Sequence, residues 1–424
     1  MIIRKKYLNQ LIAFQDKDLV KVVTGVRRCG KSTLLEMMGN HLRAQGVSEE
    51  RLVMLKMESM EFDAVKTYRE LYDLIRGRVE GVQHPYIFLD ELQEVTGWER
   101  AVNALRVDID CDLYITGSNA HLLSSELSTL LSGRYVEVEM QPLVFSEYLD
   151  FRGVDCARRP SASGGVAQMS DGQFVTLDAL LGQFLQFGGL PFLALSSPNV
   201  EEHRIYCKSL YDTVITRDIL MRDRRHDRRR LNNPELLEKV CRFLANNIGN
   251  ECSFNSMAAV LRAEGSSASN ATVEAYVDAL KEAYLFYRAR RYDVRGKELL
   301  KTGGKHYIVD TGMRSYLEGY RNTDVGRVLE NAVYLELRYR GYEVSVGKLR
   351  AGEIDFVATR PSERWYIQVC DDMRSHETQE RELAPLRALR DSHPKTVIVR
   401  DGTYPTDIDG VRIVPAVDFF LGER

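Results

Sequence analysis

Short apolar runs alternate with helical patterns along the first third of the chain. The runs are LVKVVT (19–24), LVMLKM (52–57), YIFLD (86–90), LYIT (113–116) and YVEVEM (135–140). Alternation of this kind is typical of a parallel sheet that is covered by helices. The pattern therefore predicts an α/β fold, with a doubly wound parallel sheet of five strands in the first domain.

The alternation stops after Tyr148. The stretch VDCARRPSASGGVAQMSDGQ (154–173) is rich in small and polar residues and predicts a loop or flexible insertion. Helical periodicity returns at about Leu177, and MRDRRHDRRR (221–230) follows with six Arg and two Asp. This charged run predicts a solvated helix face or hinge, with a basic surface for nucleic acid or a partner as the alternative.

Three further helical patterns occupy the third quarter of the chain. They are PELLEKVCRFLANNIG, SFNSMAAVLRAEG and SNATVEAYVDALKEAYLFY, and the last two begin at residues that can cap a helix. The following YRARRYDVRGKELLKTGGKHYIVD predicts two strands joined by a loop. Three helices closed by a two-stranded wing make a winged helix.

A second α/β unit is predicted from Gly326 onward. A helix, GRVLENAVYLELRYRG, leads into the strand patterns EVSVGK, EIDFVAT, WYIQVC and KTVIVR. These boundaries divide the chain into four predicted parts: the first α/β domain (1–152), an insertion with a helical lid (153–232), a winged helix (233–322) and a small α/β domain (323–424).

Composition narrows the class of protein. The chain has 424 residues, 44% of them hydrophobic and 28% charged, which is typical of a globular protein. The net charge of -3 excludes a global basic field, so nucleic-acid binding would need a local patch. Seven cysteines without CxxC spacing and the absence of a long apolar run predict a reduced, cytoplasmic protein without a membrane span.

The segment GVRRCGKST matches the phosphate-binding pattern GxxxxGK[ST] between a predicted strand and a predicted helix. Glycines let the chain curl so that backbone N–H groups surround a phosphate, and the helix N-terminus adds partial positive charge. The lysine reaches the β- and γ-phosphates, and the serine hydroxyl suits Mg²⁺. The predicted nucleotide-binding residues are Gly25, Val26, Arg27, Arg28, Cys29, Gly30, Lys31, Ser32 and Thr33.

A second motif, YIFLDELQEV, places two carboxylates at the carboxyl end of a buried strand. Open α/β sheets hold their ligands at this edge. We predict that Asp90 serves Mg²⁺, together with Ser32, and that Glu91 polarises the attacking water.

The segments LYITGSNAHLL and SGRYVEVEM each contain a candidate site residue with two possible roles. Ser118 and Asn119 come just after a strand, where a polar side chain senses the γ-phosphate; capping of the next helix by Ser118 is the alternative. Arg134 precedes the fifth strand and is predicted either as an arginine finger, in cis or in trans, or as a salt-bridged surface residue.

Together GVRRCGKST, FLDE, ITGSN, LSGRYVEVEMQPLVFSEYL and FGGLP resemble the AAA-related ATPases of the archaeal-type branch, found in bacteria and archaea. The C-terminal half of that family is a domain of unknown function with a restriction-endonuclease-like fold. The resemblance covers nearly the whole chain and implies ATP and Mg²⁺ as cofactors. It implies catalytic roles for Lys31, Glu91, Ser118, Asn119 and Arg134, and it places Gly188 to Pro191 in the helical lid.

Because of the same resemblance, the segment GEIDFVATRPSERWYIQVC can be compared with the metal-binding pattern of restriction-like nucleases. Restriction-like nucleases hold metal ions with helix and strand acids and place a lysine two residues after the last ligand. Glu330, Asp355 and Gln368 occupy those places, but Cys370 stands where lysine would be, and a thiol supplies no positive charge. We therefore expect a degenerate nuclease-like domain that keeps the fold without cleavage.

Three functions stay open on the sequence alone. They are an ATPase that couples hydrolysis to domain rearrangement, an ATP-powered metal-dependent nuclease, and a nucleotide switch without turnover. A DNA partner is favoured by the basic wing (Arg288, Arg290, Arg291, Arg295 and Lys297). A protein partner is favoured by the acids of the preceding helix (Glu274, Asp278 and Glu282), and assembly into a homo-oligomer is left open.

Overall fold

A computed structural model describes residues 2–118, 131, 133–154, 164–221, 231, 233–300, 303–321, 324–350 and 352–423. Within these, the chain forms two units. The first unit contains Met1–Gln141 and Glu282–Tyr284, and the second contains Pro142–Lys281 and Leu285–Arg424. Residues 222–230 of the charged run and residues 155–163 of the predicted insertion lie outside the described residues.

The first unit is built on a parallel sheet of five strands. These are β1 (Val20–Thr24), β2 (Leu52–Lys56), β3 (Tyr86–Asp90), β4 (Asp112–Thr116) and β5 (Tyr135–Glu139), in the order β2-β3-β4-β1-β5. All four pairings are parallel. The five predicted strands and the α/β class are confirmed, and every carboxyl end lies at one edge of the sheet.

The described residues of this unit form four helices: α1 (Lys5–Ala13), α2 (Lys31–Ala44), α3 (Tyr68–Arg78) and α4 (Trp98–Asp108). Short 3-10 helices span Glu49–Arg51, Met60–Phe62 and Leu92–Glu94. One core cluster joins Ile87 and Leu89 of β3 to Ile75 of α3 and Leu105 of α4. Each such buried aliphatic side chain stabilises the fold by about 1.5–3 kcal/mol, so this core fixes the strands whose ends carry the motifs.

The second unit begins with helices. Those described before residue 290 are α5 (Phe145–Phe151), α6 (Leu177–Phe187), α7 (Pro191–Ser196), α8 (Val200–Thr213), a π-helix (Val214–Met221), α9 (Pro234–Asn246), α10 (Phe254–Ala263) and α11 (Asn270–Glu282). A small hairpin, β6 (Val166–Gln168) with β7 (Phe174–Thr176), lies where a loop was predicted. Helices α9, α10 and α11 lie where the three helical patterns were found.

The segment after α11 is more complex than two strands. Strand β8 (Phe286–Ala289) pairs with β11 (Lys305–Ile308), whereas β9 (Arg291–Asp293) and β10 (Glu298–Leu299) pair with each other. Strand β9 also pairs in parallel with β12 (Glu343–Leu349), so the inner hairpin extends the sheet that follows.

That sheet has eight strands in the order β10-β9-β12-β13-β14-β15-β17-β16. Its remaining strands are β13 (Gly352–Arg360), β14 (Glu363–Asp372), β15 (Lys395–Asp401), β16 (Asp407–Ile408) and β17 (Val411–Pro415). The accompanying helices are α12 (Thr311–Glu318), α13 (Val325–Tyr339), α14 (His376–Arg387) and α15 (Ala416–Phe420). The predicted helix from Gly326 and its four strands are present, in a larger sheet than expected.

In the parts of the chain that the structure describes, no helix has both the length and the apolar character needed to cross a membrane.

Candidate functional site

The loop from Gly25 to Thr33 joins β1 to α2. Gly25 and Gly30 have φ angles of 134° and 105°, in the region that favours glycine. A Cβ on Gly25 would stand 2.0 Å from the carbonyl oxygen of Met140. The loop therefore curls tightly against the end of β5, and a side chain at Gly25 would displace it.

Within the loop, Lys31 is buried and its ammonium group is held by oxygen atoms. Lys31 Nζ donates to the carbonyl oxygens of Gly25 at 3.0 Å and Val26 at 3.2 Å, and it lies 3.9 Å from Glu91 Oε1. The cation thus lies between the loop and the end of β3. Arg27 contacts Glu58 at 3.3 Å, Arg28 has a left-handed φ of 68°, and burial raises the pKa of the Cys29 thiol.

Three oxygen atoms meet at the carboxyl edge of the sheet. The Ser32 hydroxyl donates to Asp90 Oδ1 at 3.0 Å, and the Thr116 hydroxyl donates to the same oxygen at 2.5 Å. Burial raises the pKa of Asp90; the bonds from Thr116 and Ser32 oppose that shift, and the Glu91 charge adds to it. Ser32 and Asp90 present oxygen donors of the kind that Mg²⁺ prefers.

Glu91 is held in an uncommon backbone conformation. Its φ is 54°, and its N–H donates to Thr116 Oγ1 at 3.0 Å. Its carboxylate accepts a hydrogen bond from the side-chain amide of Gln93. Non-glycine residues in this region cost of order 1–3 kcal/mol and are held only by surrounding structure. Thr116, at the last position of β4, therefore secures both acids, although the sequence analysis did not single it out.

The residues predicted as sensor and arginine finger have different locations. Ser118 is buried, with its Oγ 3.5 Å from Gln93 Nε2, whereas Asn119 lies outside the described residues. Arg134 is exposed, and its carbonyl accepts from the N–H of Val20 at 3.0 Å, where β1 begins. Five residues at about 3.3 Å each separate that end of β1 from the loop. Arg134 therefore lies at the opposite edge of the sheet.

Arg4 stabilises the phosphate-binding loop, a role that no sequence pattern indicated. This buried guanidinium donates through one nitrogen to the carbonyls of Cys29 at 3.1 Å and Gln141 at 2.7 Å, and it stacks over Tyr7 at 4.6 Å. It ties the phosphate loop to the chain that follows β5. No local pattern marks it, because its partners lie 25 and 137 residues away.

The GGLP segment has a packing role. The N–H of Gly189 donates to Asp310 Oδ2 at 2.6 Å, and a Cβ on Gly188 would stand 2.2 Å from Asp310 Oδ1. A Cβ on Gly189 would meet the carbonyl oxygen of Leu143 at 2.1 Å. Burial raises the pKa of Asp310 to about 6 although backbone donors oppose the shift. Gly188 thus permits close contact with a buried carboxyl group, and Gly189 makes room for the backbone carbonyl of Leu143.

In the second unit, the nuclease-like residues converge around a lysine. The Asp355 N–H donates to Gln368 Oε1 at 3.2 Å, which joins β13 to β14. Lys305 Nζ, from β11, lies 3.1 Å from Glu330, 2.6 Å from Glu353 and 3.4 Å from Asp355. Glu330, Asp355 and Gln368 therefore meet, with a cation at their centre that the sequence analysis did not identify.

The surroundings of this cluster explain its charge state. Burial raises the pKa of Asp355, and the nearby Glu330 raises it further. Burial alone would lower the pKa of Lys305, but the three carboxylates raise it, so the ammonium stays charged. Tyr307 donates to Glu330 at 2.7 Å.

Cys370 belongs to a different environment. It is buried in a hydrophobic cluster, its thiol donates to the Asp372 carbonyl at 2.9 Å, and burial raises its pKa to about 12. A neutral thiol is therefore the form present near neutral pH. Among the described residues, no group of three or more His, Cys, Asp or Glu side chains is arranged to hold a metal ion.

Comparisons with known proteins agree with the geometry of the first unit. A family described as an AAA domain matches residues 17–149, and a domain of unknown function matches residues 178–324. An uncharacterized protein of Haemophilus influenzae is 38% identical over 424 residues, covering 99% of both chains. An uncharacterized protein of Methanocaldococcus jannaschii is 28% identical over 91% of this chain and 82% of its own.

Two solved structures show weaker similarity. The Walker-type ATPase of Pyrococcus abyssi has a TM-score of 0.49 at 13% identity, covering 75% of this chain and 96% of its own. The Aeropyrum pernix Orc1 protein, solved in complex with DNA, has a TM-score of 0.28 at 13% identity, covering 75% and 92%.

A P-loop, an acid pair at the end of β3 and the AAA match over residues 17–149 together indicate a P-loop domain of the AAA-related ATPase type in the first unit. The chain belongs to the family of the Haemophilus influenzae protein, with which it aligns over nearly its full length.

Proposed function

We propose that this protein is a Mg²⁺-dependent ATPase whose nucleotide binds at the loop from Gly25 to Thr33. The observation that carries the proposal is the convergence of Lys31, Ser32, Asp90 and Glu91 at one edge of the sheet. A curled loop, a buried ammonium group and two oxygen donors are what binding of a nucleoside triphosphate requires.

Each residue has its own proposed role in ATP binding and hydrolysis. Loop N–H groups and the N-terminus of α2 bind phosphate oxygens, and Lys31 exchanges its carbonyl contacts for the β- and γ-phosphates. Ser32 and Asp90 would hold Mg²⁺, which neutralises charge that develops on the phosphate oxygens. Glu91 accepts a proton from the attacking water.

Two substitutions test this assignment. Lys31→Ala should weaken ATP binding, whereas Glu91→Gln should keep binding and lower kcat by about 10²- to 10⁴-fold, the usual contribution of a general base. Lys66→Ala, at an exposed ion pair with Asp63, is the matched control and should leave both unchanged. Turnover that survives both active-site substitutions would overturn the proposal. ATP binding without measurable single turnover in the unmodified protein would favour a nucleotide switch.

We also propose that α9, α10 and α11 with β8 and β11 act as a winged helix that hydrolysis repositions, and that it engages a protein rather than DNA. Of the basic wing, Arg291 pairs with Glu251 at 2.5 Å and Arg288 donates to the Gly303 carbonyl at 2.8 Å. The positive charges of Arg291 and Arg288 therefore already interact with oxygen atoms of the chain itself. The fluorescence anisotropy of a labelled DNA duplex should not change when the protein is added at physiological salt. DNA binding by the unmodified protein that is lost in Arg295→Glu would contradict this proposal.

For residues 323–424 we propose a nuclease-like domain without cleavage activity. The supporting observation is that Lys305 and Tyr307 already use the carboxylate oxygens that would otherwise hold a metal ion. Plasmid DNA incubated with the protein and Mg²⁺ or Mn²⁺ should remain intact. Cleavage that disappears in Asp355→Ala would establish the nuclease alternative.

A further inference from the structure

Gln93 lies two residues after Glu91, in the short helix Leu92–Glu94. Its side-chain Nε2 donates to Glu91 Oε2 and lies 3.5 Å from Ser118 Oγ. An ionised carboxylate accepts hydrogen bonds but cannot donate them, so the amide nitrogen must face Glu91. The carboxamide therefore links the acid after β3 to the polar residue after β4.

The other end of the same carboxamide is unsatisfied. Gln93 Oε1 is buried and has no hydrogen-bond partner among the described residues. A buried acceptor without a partner destabilises a fold, and an apolar side chain of similar shape would avoid that cost. Packing alone does not account for glutamine here, whereas contact with Glu91 does.

We propose that Gln93 is a positioning residue that holds the Glu91 carboxylate in the orientation needed to take a proton from water. This inference rests on the proposed ATPase function and deepens it. Glu91 Oε2 accepts a hydrogen bond from Gln93, while Glu91 Oε1 is the oxygen nearest Lys31, at 3.9 Å. Without Gln93 the carboxylate is free to rotate toward the lysine and away from the water.

The test separates positioning from packing. Gln93→Leu keeps the size and removes the donor, and Gln93→Glu keeps the shape and replaces the donor with a second carboxylate. A lost hydrogen bond to a charged group corresponds to a fall in kcat of about 10- to 100-fold. We expect that fall in Gln93→Leu and a larger one in Gln93→Glu, with the dissociation constant of a fluorescent ATP analogue within about twofold of the unmodified protein in Gln93→Leu.

Stability provides the second readout. Because an unpaired acceptor is removed, Gln93→Leu should unfold at the same temperature as the unmodified protein or higher. Gln183→Leu is the control: Gln183 is half-buried in α6 and accepts from Arg152 at 3.4 Å, and its loss should leave kcat unchanged.

These measurements distinguish failure of the positioning role of Gln93 from failure of the proposed ATPase function. If the unmodified protein hydrolyses ATP and both Gln93 variants match its kcat, the positioning role is wrong while the ATPase stands. A fall in kcat that accompanies an equal loss of nucleotide affinity or of folded protein would also refute positioning. If the unmodified protein lacks Lys31-dependent turnover, the proposed function itself fails.

Discussion

Replacing Lys305 with methionine should destabilise the second unit strongly. The ammonium group is buried among three carboxylates, and methionine keeps the length of the chain while it removes the charge. Glu330 and Asp355 have side chains only 13% exposed, so the remaining charges would face each other with little water between them.

The magnitude follows from that burial. Removal of one partner of a buried ion pair costs about 3–5 kcal/mol because the other charge stays desolvated. Glu353 is 37% exposed and adds less than about 1 kcal/mol, as exposed pairs do. The expected loss in the free energy of unfolding is therefore about 3–5 kcal/mol at neutral pH.

The loss should also depend on pH. Folding raises the pKa of Asp355, so the native state binds its proton more tightly than the unfolded state. The stability of the native state relative to the unfolded state therefore falls as pH rises from the ordinary aspartate value through the raised one. Without Lys305, which lowers the pKa of Asp355, that pKa is higher still, and the fall in stability continues to a higher pH. Lys305→Met should thus cost more at pH 8 than at pH 5.5.

Tryptophan fluorescence can isolate the relevant unit. The chain has two tryptophans, and in a Trp98→Phe background the remaining Trp365 is buried in β14 of the second unit. With an m-value near 3 kcal/mol/M, the urea midpoint should fall by about 1 M or more. Lys281→Met, which removes a half-exposed ion pair with Asp278, is the control and should shift it little. A shift below about 0.3 M, or one that is equal at both pH values, would refute the reasoning.

Three other predictions concern the first unit. Arg4→Met removes the donors to Cys29 and Gln141 and should weaken ATP binding about tenfold in a nucleotide titration, while the exposed Lys5→Met should not. Thr116→Val removes a donor that lowers the pKa of Asp90, so Mg²⁺-dependent ATP binding should be lost at a higher pH than in the unmodified protein as pH falls. Arg134 lies at the opposite edge of the sheet from the loop, so Arg134→Ala should keep full turnover; a loss of turnover that mixing with Lys31→Ala protein partly restores would instead show an arginine finger that acts in trans.

Much of the first unit could be predicted because the three central strands of its sheet are buried on both faces. Strands such as β3 and β4, with every residue buried, read as apolar runs without ambiguity. Asp90 and Glu91 follow one such run, and parallel strands bring their carboxyl ends to one edge. The contacts of Lys31 and Ser32 with these acids were therefore foreseeable from residue order alone.

The supporting residues could not be predicted in the same way. Arg4 and Thr116 act through partners that only strand pairing and helix packing bring close. The inner hairpin of β9 and β10 also joins a sheet whose next strand begins more than 40 residues later, at Glu343. A local pattern predicts that a strand exists, but the choice of neighbour depends on the tertiary fold.

The nuclease-like site shows what this difference means for function. The sequence pattern suggested inactivity because Cys370 replaces a lysine on the same strand, leaving the site without a cation. In space a cation is present, supplied by Lys305 from β11, which pairs with β8 outside the large sheet. Positive charge is therefore available at this cluster, but it neutralises the carboxylates that a metal ion would need. A stable internal ion pair and a metal-dependent centre compete for the same oxygen atoms, and the contacts of Glu330 and Asp355 favour the ion pair.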